Sequence, residues 1–183
     1  MNAQLSTIDI IAGIFCQATQ EVLEASTRKE IRYSETIQQV PKISMKPEIG
    51  CFVPFSGDYN GLVVFNYSAK AAMTLYKCAL MLMGIPEDEL ARDYLSVEVP
   101  DSISEFTNQI VGKSMNLIEK KYDLNAMSGQ PKALALNSAI TLIIDSDYRD
   151  NRRVVFTIDG HKFYLELAME ATEFISIKDA AAS

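Results

Sequence analysis

The chain has 183 residues, 48% of them hydrophobic, and a formal net charge of −7. That length suits one domain, residues 1–183, with a core of its own, and that hydrophobicity argues against wholesale disorder. The negative charge, with no basic cluster larger than the pairs Arg28-Lys29, Lys120-Lys121 and Arg152-Arg153, argues against a general nucleic-acid binder.

Three cysteines, Cys16, Cys51 and Cys78, form no CxxC, and an odd number does not suit a disulfide framework; all three read as buried small apolar residues. One histidine, His161, leaves a zinc site of the usual kind short of ligands, so no metal ligands are assigned. The apolar run IDIIAGIF near the N-terminus lacks the basic flank of a secretory signal, and no stretch reaches the ~18 apolar residues of a membrane span. The expectation is a cytoplasmic protein with no membrane contact.

In chain order, Ser6 is placed to cap a first helix, with Asp9 three residues on completing a near-capping box. Ile8, Ile11, Ala12, Phe15, Ala18, Val22 and Ala25 recur at helical spacing, and the helix is predicted to end near 26–29. Short β stretches follow at 31–33 and 37–43, the second broken by Pro41. Residues 51–55 and 62–67, joined by Ser56-Gly57-Asp58-Tyr59-Asn60-Gly61, predict a hairpin. Ser68 caps a second helix, AKAAMTLYKCALMLM, which Gly84 ends and Pro86 keeps from resuming; its methionines read as core. Pro86–Leu90 reads as the acidic first turn of a further helix, and a loop over 97–100 leads to the helix 101–121. Beyond it, 122–130 reads as an exposed connection, 139–144 as a strand and 145–151 as an acidic turn. Residues 154–158 and 162–167 around Asp159-Gly160 give a second hairpin. An edge strand over 173–178 and a frayed tail, 179–183, complete the prediction. A long helix followed by strands occurs twice, which suggests two similar halves. The fold class is α+β, with two long helices and a helix pair packed on a largely antiparallel sheet.

The helix 101–121 has an unusual polar face. Ile103, Phe106, Ile110, Val111, Leu117 and Ile118 gather on one side, while Glu105, Asn108, Gln109, Gly112 and Asn116 form the opposite stripe. An ordinary wet face carries Lys and Glu, and a mid-helix glycine costs about 1 kcal/mol against alanine. That cost makes sense where something must approach the backbone closely. Glu105 and Asn108, three residues apart, share a face. A carboxamide donates and accepts hydrogen bonds, so it can hold a water in one orientation, as a glutamine does in GTPases. A neighbouring carboxylate can take a proton or a partner's cation. Structural readings stand beside these: Ser102 and Glu105 also fit a capping box, Asn108 fits an ordinary exposed position, and Gly112 fits close helix–helix packing.

The pattern Asp101-x-x-x-Glu105-x-x-Asn108-x-x-x-Gly112 resembles the helix motif of the CheC/CheX/FliY phosphatases of bacterial chemotaxis, the CheX branch in particular. Gly57-Asp58-x-x-Gly61-Leu62-Val63, the small-residue helix ending in Leu82-Met83-Gly84, and Phe15, Ala18, Val22 and Leu23 on the first helix support the likeness. It spans most of residues 7–118; the C-terminal hairpin matches in layout only. The resemblance implies a pseudo-two-fold αβ sandwich that removes phosphate from the aspartyl-phosphate of a response-regulator receiver domain such as CheY. It implies that Asn108 aligns the attacking water, that Glu105 pairs with the receiver's lysine, and that Gln109, Gly112 and Asn116 meet the partner. It implies no cofactor of the chain's own, with Mg²⁺ supplied by the receiver, and a homodimer. Glu-x-x-Asn occurs once, so one site per chain is expected. The alternative is a non-catalytic CheC-like module that docks a receiver or a flagellar motor component through the same helix.

Overall fold

The computed structural model describes residues 6–141, 148 and 150–171. Three α-helices, α1 (Thr7–Thr27), α2 (Ala69–Leu82) and α3 (Glu98–Tyr122), lie on one face of an antiparallel sheet. The first five strands are β1 (Ile31–Tyr33), β2 (Gln38–Gln39), β3 (Ser44–Met45), β4 (Ile49–Gly57) and β5 (Gly61–Tyr67). The remaining five are β6 (Ala126–Ser128), β7 (Lys132–Ala135), β8 (Ile140–Thr141), β9 (Asp150–Ile158) and β10 (His161–Met169). The sheet runs β1-β9-β10-β5-β4-β6, with β2 also on β9 and β7 also on β4, while β3 and β8 form a separate ribbon.

These pairings contain an internal two-fold. Exchanging β1–β5 for β6–β10, and α1 for α3, turns every pairing into another that is present. The two hairpins β4-β5 and β9-β10 meet at β5 and β10, and each half sends its first two strands to the other half's hairpin. The halves are thus interlocked rather than merely adjacent.

Alternation along the central strands sorts the core into two layers. Val63, Phe65 and Tyr67 of β5 and Phe163, Leu165 and Leu167 of β10 face the helices. Leu62, Val64 and Ala168 face away and pack with Ile43, Met45 and Leu136. On the helix side, rings on neighbouring strands stack in sequence. Tyr67 lies 5.0 Å from Phe163, Phe163 lies 5.0 Å from Phe156, and Phe156 lies 5.3 Å from Tyr33. Such cross-strand aromatic pairs stabilise a sheet beyond the area they bury. On the other face Glu166 is wholly buried but fully met, by Arg153 Nε at 2.7 Å and Nη2 at 2.5 Å and by the Ser44 amide at 3.1 Å.

The N-terminal capping box forms, with the Ser6 hydroxyl donating to Asp9 at 2.7 Å and the Ser6 amide to the same carboxylate at 3.3 Å. The other Asp9 oxygen accepts from Arg152 Nε at 2.6 Å, which ties the start of α1 to β9.

Four expectations are corrected. Pro86–Leu90 forms only a single 3₁₀ turn over Glu87–Glu89, so the helix pair is one helix and a turn. The α3 helix begins at Glu98 instead of Asp101, because Pro100 falls in its first turn, where a missing N–H costs nothing. The connection 122–130 is largely exposed, as expected, but it contains β6, which pairs with the end of β4. The α2 methionines are not uniformly core: Ala71, Ala72, Leu75, Tyr76 and Ala79 make its buried stripe, whereas Met81 and Met83 lie past the last inward position and are exposed. Most of the strand at 139–144, most of the acidic turn, the edge strand at 173–178 and the tail lie outside the described residues.

Burial alone would raise the Asp9 pKa, but the Arg152 guanidinium and the Ser6 donors outweigh it and hold the carboxyl below its ordinary value of 3.8. A lowered carboxyl stabilises the fold above that value and loses its contribution as pH falls through the folded-state pKa. Asp9→Asn should therefore cost about 1–3 kcal/mol at pH 7 in urea denaturation. The difference from wild type should shrink toward zero as the pH is taken below 3.8. A gap that is constant with pH would show that charge is not its source.

Candidate functional site

The candidate site is the outer face of α3. Its inner face is set by Val99, Ile103, Phe106, Ile110, Val111 and Ile118, all buried against α1 and the sheet. The two polar residues on that inner side satisfy themselves locally: Thr107 Oγ1 donates to the Ile103 carbonyl at 2.7 Å and Ser114 Oγ to the Ile110 carbonyl at 2.8 Å. Ser104 Oγ, at the edge, accepts from the Ala133 amide at 3.1 Å and fixes α3 against β7. With the rotation of α3 so fixed, Glu105, Asn108, Gln109, Gly112 and Asn116 all face outward and are exposed. The five residues singled out in the sequence do form one continuous stripe.

Glu105 is not a cap. Helix α3 starts seven residues before it, so Ser102 is interior, and Glu105 instead accepts from Gln109 Nε2 at 3.1 Å on the outer face. That bond points the carboxylate along the stripe. Among the described residues Asn108 has no side-chain hydrogen-bond partner, so both its donor and its acceptor face outward unused. Apart from its chain neighbours and its own helix backbone, no described atom lies within 4 Å of where a Gly112 Cβ would stand, and its φ is not left-handed. No described element packs closely on it, and among the described residues the space above it is open to another molecule.

Two neighbours of the stripe were not legible in the sequence. Lys113 pairs with Glu21 of α1, and Gln17 Nε2 donates to Glu21 at 2.9 Å, which bridges α1 to α3 beside Gly112. The Lys113 ammonium and the Gln17 amide hold the Glu21 carboxyl below its usual range. Nothing in the spacing of residues 21 and 113 announces this contact. The second neighbour is an apolar groove formed with the ends of α1 and α2, where Met83, part of a run expected in the core, is exposed.

The cysteines lie elsewhere. Burial pushes the Cys16 thiol up to about 12 and the Cys51 thiol up to about 11, and it raises that of half-buried Cys78 as well. None is a thiolate nucleophile at neutral pH. Among the described residues no three His, Cys, Asp or Glu side chains are grouped to hold a metal ion, and no helix is long and apolar enough to cross a membrane.

Residues 2–183 match the family described as "Protein of unknown function (DUF3334)". The chain belongs to that family. No curated protein matches the sequence. Solved structures share the fold across most of the chain. The chemotaxis protein CheX from Desulfovibrio desulfuricans superposes with a TM-score of 0.71 at 18% identity, over 88% of this chain and 99% of that one. The CheX of the CheX-CheY-BeF3-Mg²⁺ complex from Borrelia burgdorferi gives 0.66 at 15% identity, over 87% and 97%. Thermotoga maritima FliY gives 0.63 at 16% identity, over 96% and 90%. The αβ sandwich with helices on an antiparallel sheet is therefore the architecture shared with CheX, CheC-like and FliY structures.

Gly112→Ala separates packing from access. Alanine is favoured over glycine within a helix by about 1 kcal/mol, and no neighbour obstructs its methyl group. The isolated variant should be more stable than wild type by up to about 1 kcal/mol in chemical denaturation. Destabilisation instead would mean that Gly112 serves the chain's own packing.

Proposed function

We propose that this protein accelerates hydrolysis of the aspartyl-phosphate of a response-regulator receiver domain. The observation that carries the reading is Asn108, exposed and without a side-chain partner among the described residues, one helical turn from the open backbone at Gly112. Glu105 stands one turn to the other side, held by Gln109. The shared fold with a CheX crystallised with CheY, BeF3 and Mg²⁺ supports the choice of partner.

In this reading α3 lies across the receiver's phosphorylation site, and Gly112 admits the receiver's loops to the helix backbone. The Asn108 carboxamide accepts a hydrogen bond from a water and donates to its surroundings, so the water oxygen is aimed at phosphorus in line with the aspartyl oxygen. The P–O bond to the new oxygen forms as the bond to the aspartyl oxygen breaks. The aspartate departs as a carboxylate; one proton of the water stays on the inorganic phosphate, and the other passes to a phosphate oxygen or to solvent. Glu105 pairs with the receiver's lysine, which fixes the docking geometry so that Asn108 and phosphorus meet. In this reading the Mg²⁺ of the reaction comes with the receiver. The chain's own contribution is orientation.

The test is phosphate release from the phosphorylated receiver domains of the same organism. Wild type should accelerate it, and Asn108→Ala should lose about a hundredfold or more of that acceleration while binding the receiver with unchanged affinity. Glu105→Gln should weaken binding by about tenfold or more. Binding without acceleration by folded wild type would make the protein a docking module. Loss of binding and activity together in Asn108→Ala would make Asn108 a contact residue.

A further inference from the structure

Beside the polar stripe lies an apolar groove that no described part of the chain covers. A cavity of about 280 Å³ opens between the last turns of α1 and α2 and the first half of α3. Ala25, Ala79, Leu82, Met83 and Phe106 wall it, and Glu105 and Gln109 form its edge. Leu82 is 51% exposed and Met83 78%, a large apolar area to leave in water at a helix end. The segment that follows adds Ile85, Leu95 and Val97, all exposed. It is also acidic: residues 84–109 carry Glu87, Asp88, Glu89, Asp93, Glu98, Asp101 and Glu105 against the single Arg92.

We infer that this groove selects the receiver, by seating one or two apolar side chains of a basic segment of that domain next to its phosphorylated aspartate. The inference rests on the reading that the partner is a receiver, and it says how one receiver is chosen among several. Continuity is the first argument. Glu105 and Gln109 belong to both the stripe and the groove edge, so a partner that reaches Glu105 covers the groove as well. Charge is the second. Glu105 on the edge, with the acidic segment that leads from α2 into α3, favours Lys and Arg around the inserted apolar group, and an unbranched methionine adapts to its shape. Volume is the third: about 280 Å³ lies just below the range of roughly 300–1,000 Å³ typical of small-molecule sites, and suits a side chain or two. A second copy of the chain is disfavoured, since a two-fold contact through this face would bring Glu105 and the acidic 84–109 segment up against their own copies.

The experiment uses receiver domains loaded with beryllofluoride, which stands in for the phosphoryl group. Affinity is measured by calorimetry for wild type and for the double variant Leu82→Ser, Met83→Ser, and kcat and KM are measured with the phosphorylated forms. Both side chains are more than half exposed, and the single variant Met83→Lys, which also tests the groove, changes only the more exposed one. The expected result is a rise in Kd and KM of about tenfold or more with kcat unchanged. Asp93→Asn, Glu98→Gln and Asp101→Asn together should slow association and flatten its salt dependence. Unchanged Kd and KM in both groove variants would overturn the groove's role and leave the phosphatase reading intact. A wild type that neither binds nor dephosphorylates any receiver would overturn that reading, and the groove's occupant with it. A wild-type dimer that the groove variants convert to monomer in sedimentation would give the groove to a second copy and overturn the inference.

Discussion

The pairing of β5 with β10 is the constraint on which the rest of the structure depends. It runs for seven residues, from Phe163 opposite Tyr67 to Met169 opposite Gly61, and it joins the two hairpins into one sheet. Every residue of β5 is buried, so the strand is covered on both faces. Its register decides which side chains face the helices: a slip of one residue would turn Phe65 and Tyr67 away from α3 and bring Val64 and Asn66 toward it. Asn66 is buried on the far side, where its amide donates to the Ser44 carbonyl at 2.9 Å and accepts from the Lys46 amide at 2.7 Å. In the slipped register those partners are lost and a polar group enters an apolar layer, which makes the correct register strongly preferred.

That sheet in turn sets the rotation of α3. Ile103, Phe106, Ile110 and Ile118 can reach the core in only one orientation, and Ser104 is pinned to β7 from the side. The polar stripe is then outward by necessity. Among the described residues the helix does not need Glu105 as a cap, Asn108 finds no side-chain partner, and no other element reaches Gly112. One side of the helix packs on the core, and the other presents the Asn108 carboxamide with no partner among the described residues, beside the Glu105–Gln109 pair.

The stripe and both hairpins were legible in the sequence because each rests on short-range pattern. Helical spacing places Glu105 and Asn108 together whatever the fold does, and the 56–61 and 159–160 turns announce their hairpins through glycine. The interlocking of the halves was not legible, since pairing Ile31 with Ile158 or Phe55 with Ser128 joins segments that no local rule relates. The groove was hidden for a different reason. Met81, Leu82 and Met83 continue an apolar run that composition assigns to the core, yet α2 outlasts its buried stripe, which ends at Ala79. Whether an apolar residue at a helix end is covered depends on the neighbouring elements, which the residues themselves do not encode. The reverse held at Gly112, where two opposed readings, packing and access, were separated only by the empty space above it.

Gly112 and the α2 terminus share a physical logic. A glycine inside a helix and a half-exposed leucine–methionine pair each leave the isolated chain less stable than a simple substitution would make it. Neither has a compensating contact within the described residues, and both border the same few square nanometres around Glu105. Sites where local rules are broken without internal return are where a second molecule is needed to complete the accounting. A partner laid across α3 would bury the apolar groove, use the free carboxamide of Asn108 and fill the space at Gly112 in one step. One helix face thus explains three separate departures from what the fold alone would favour.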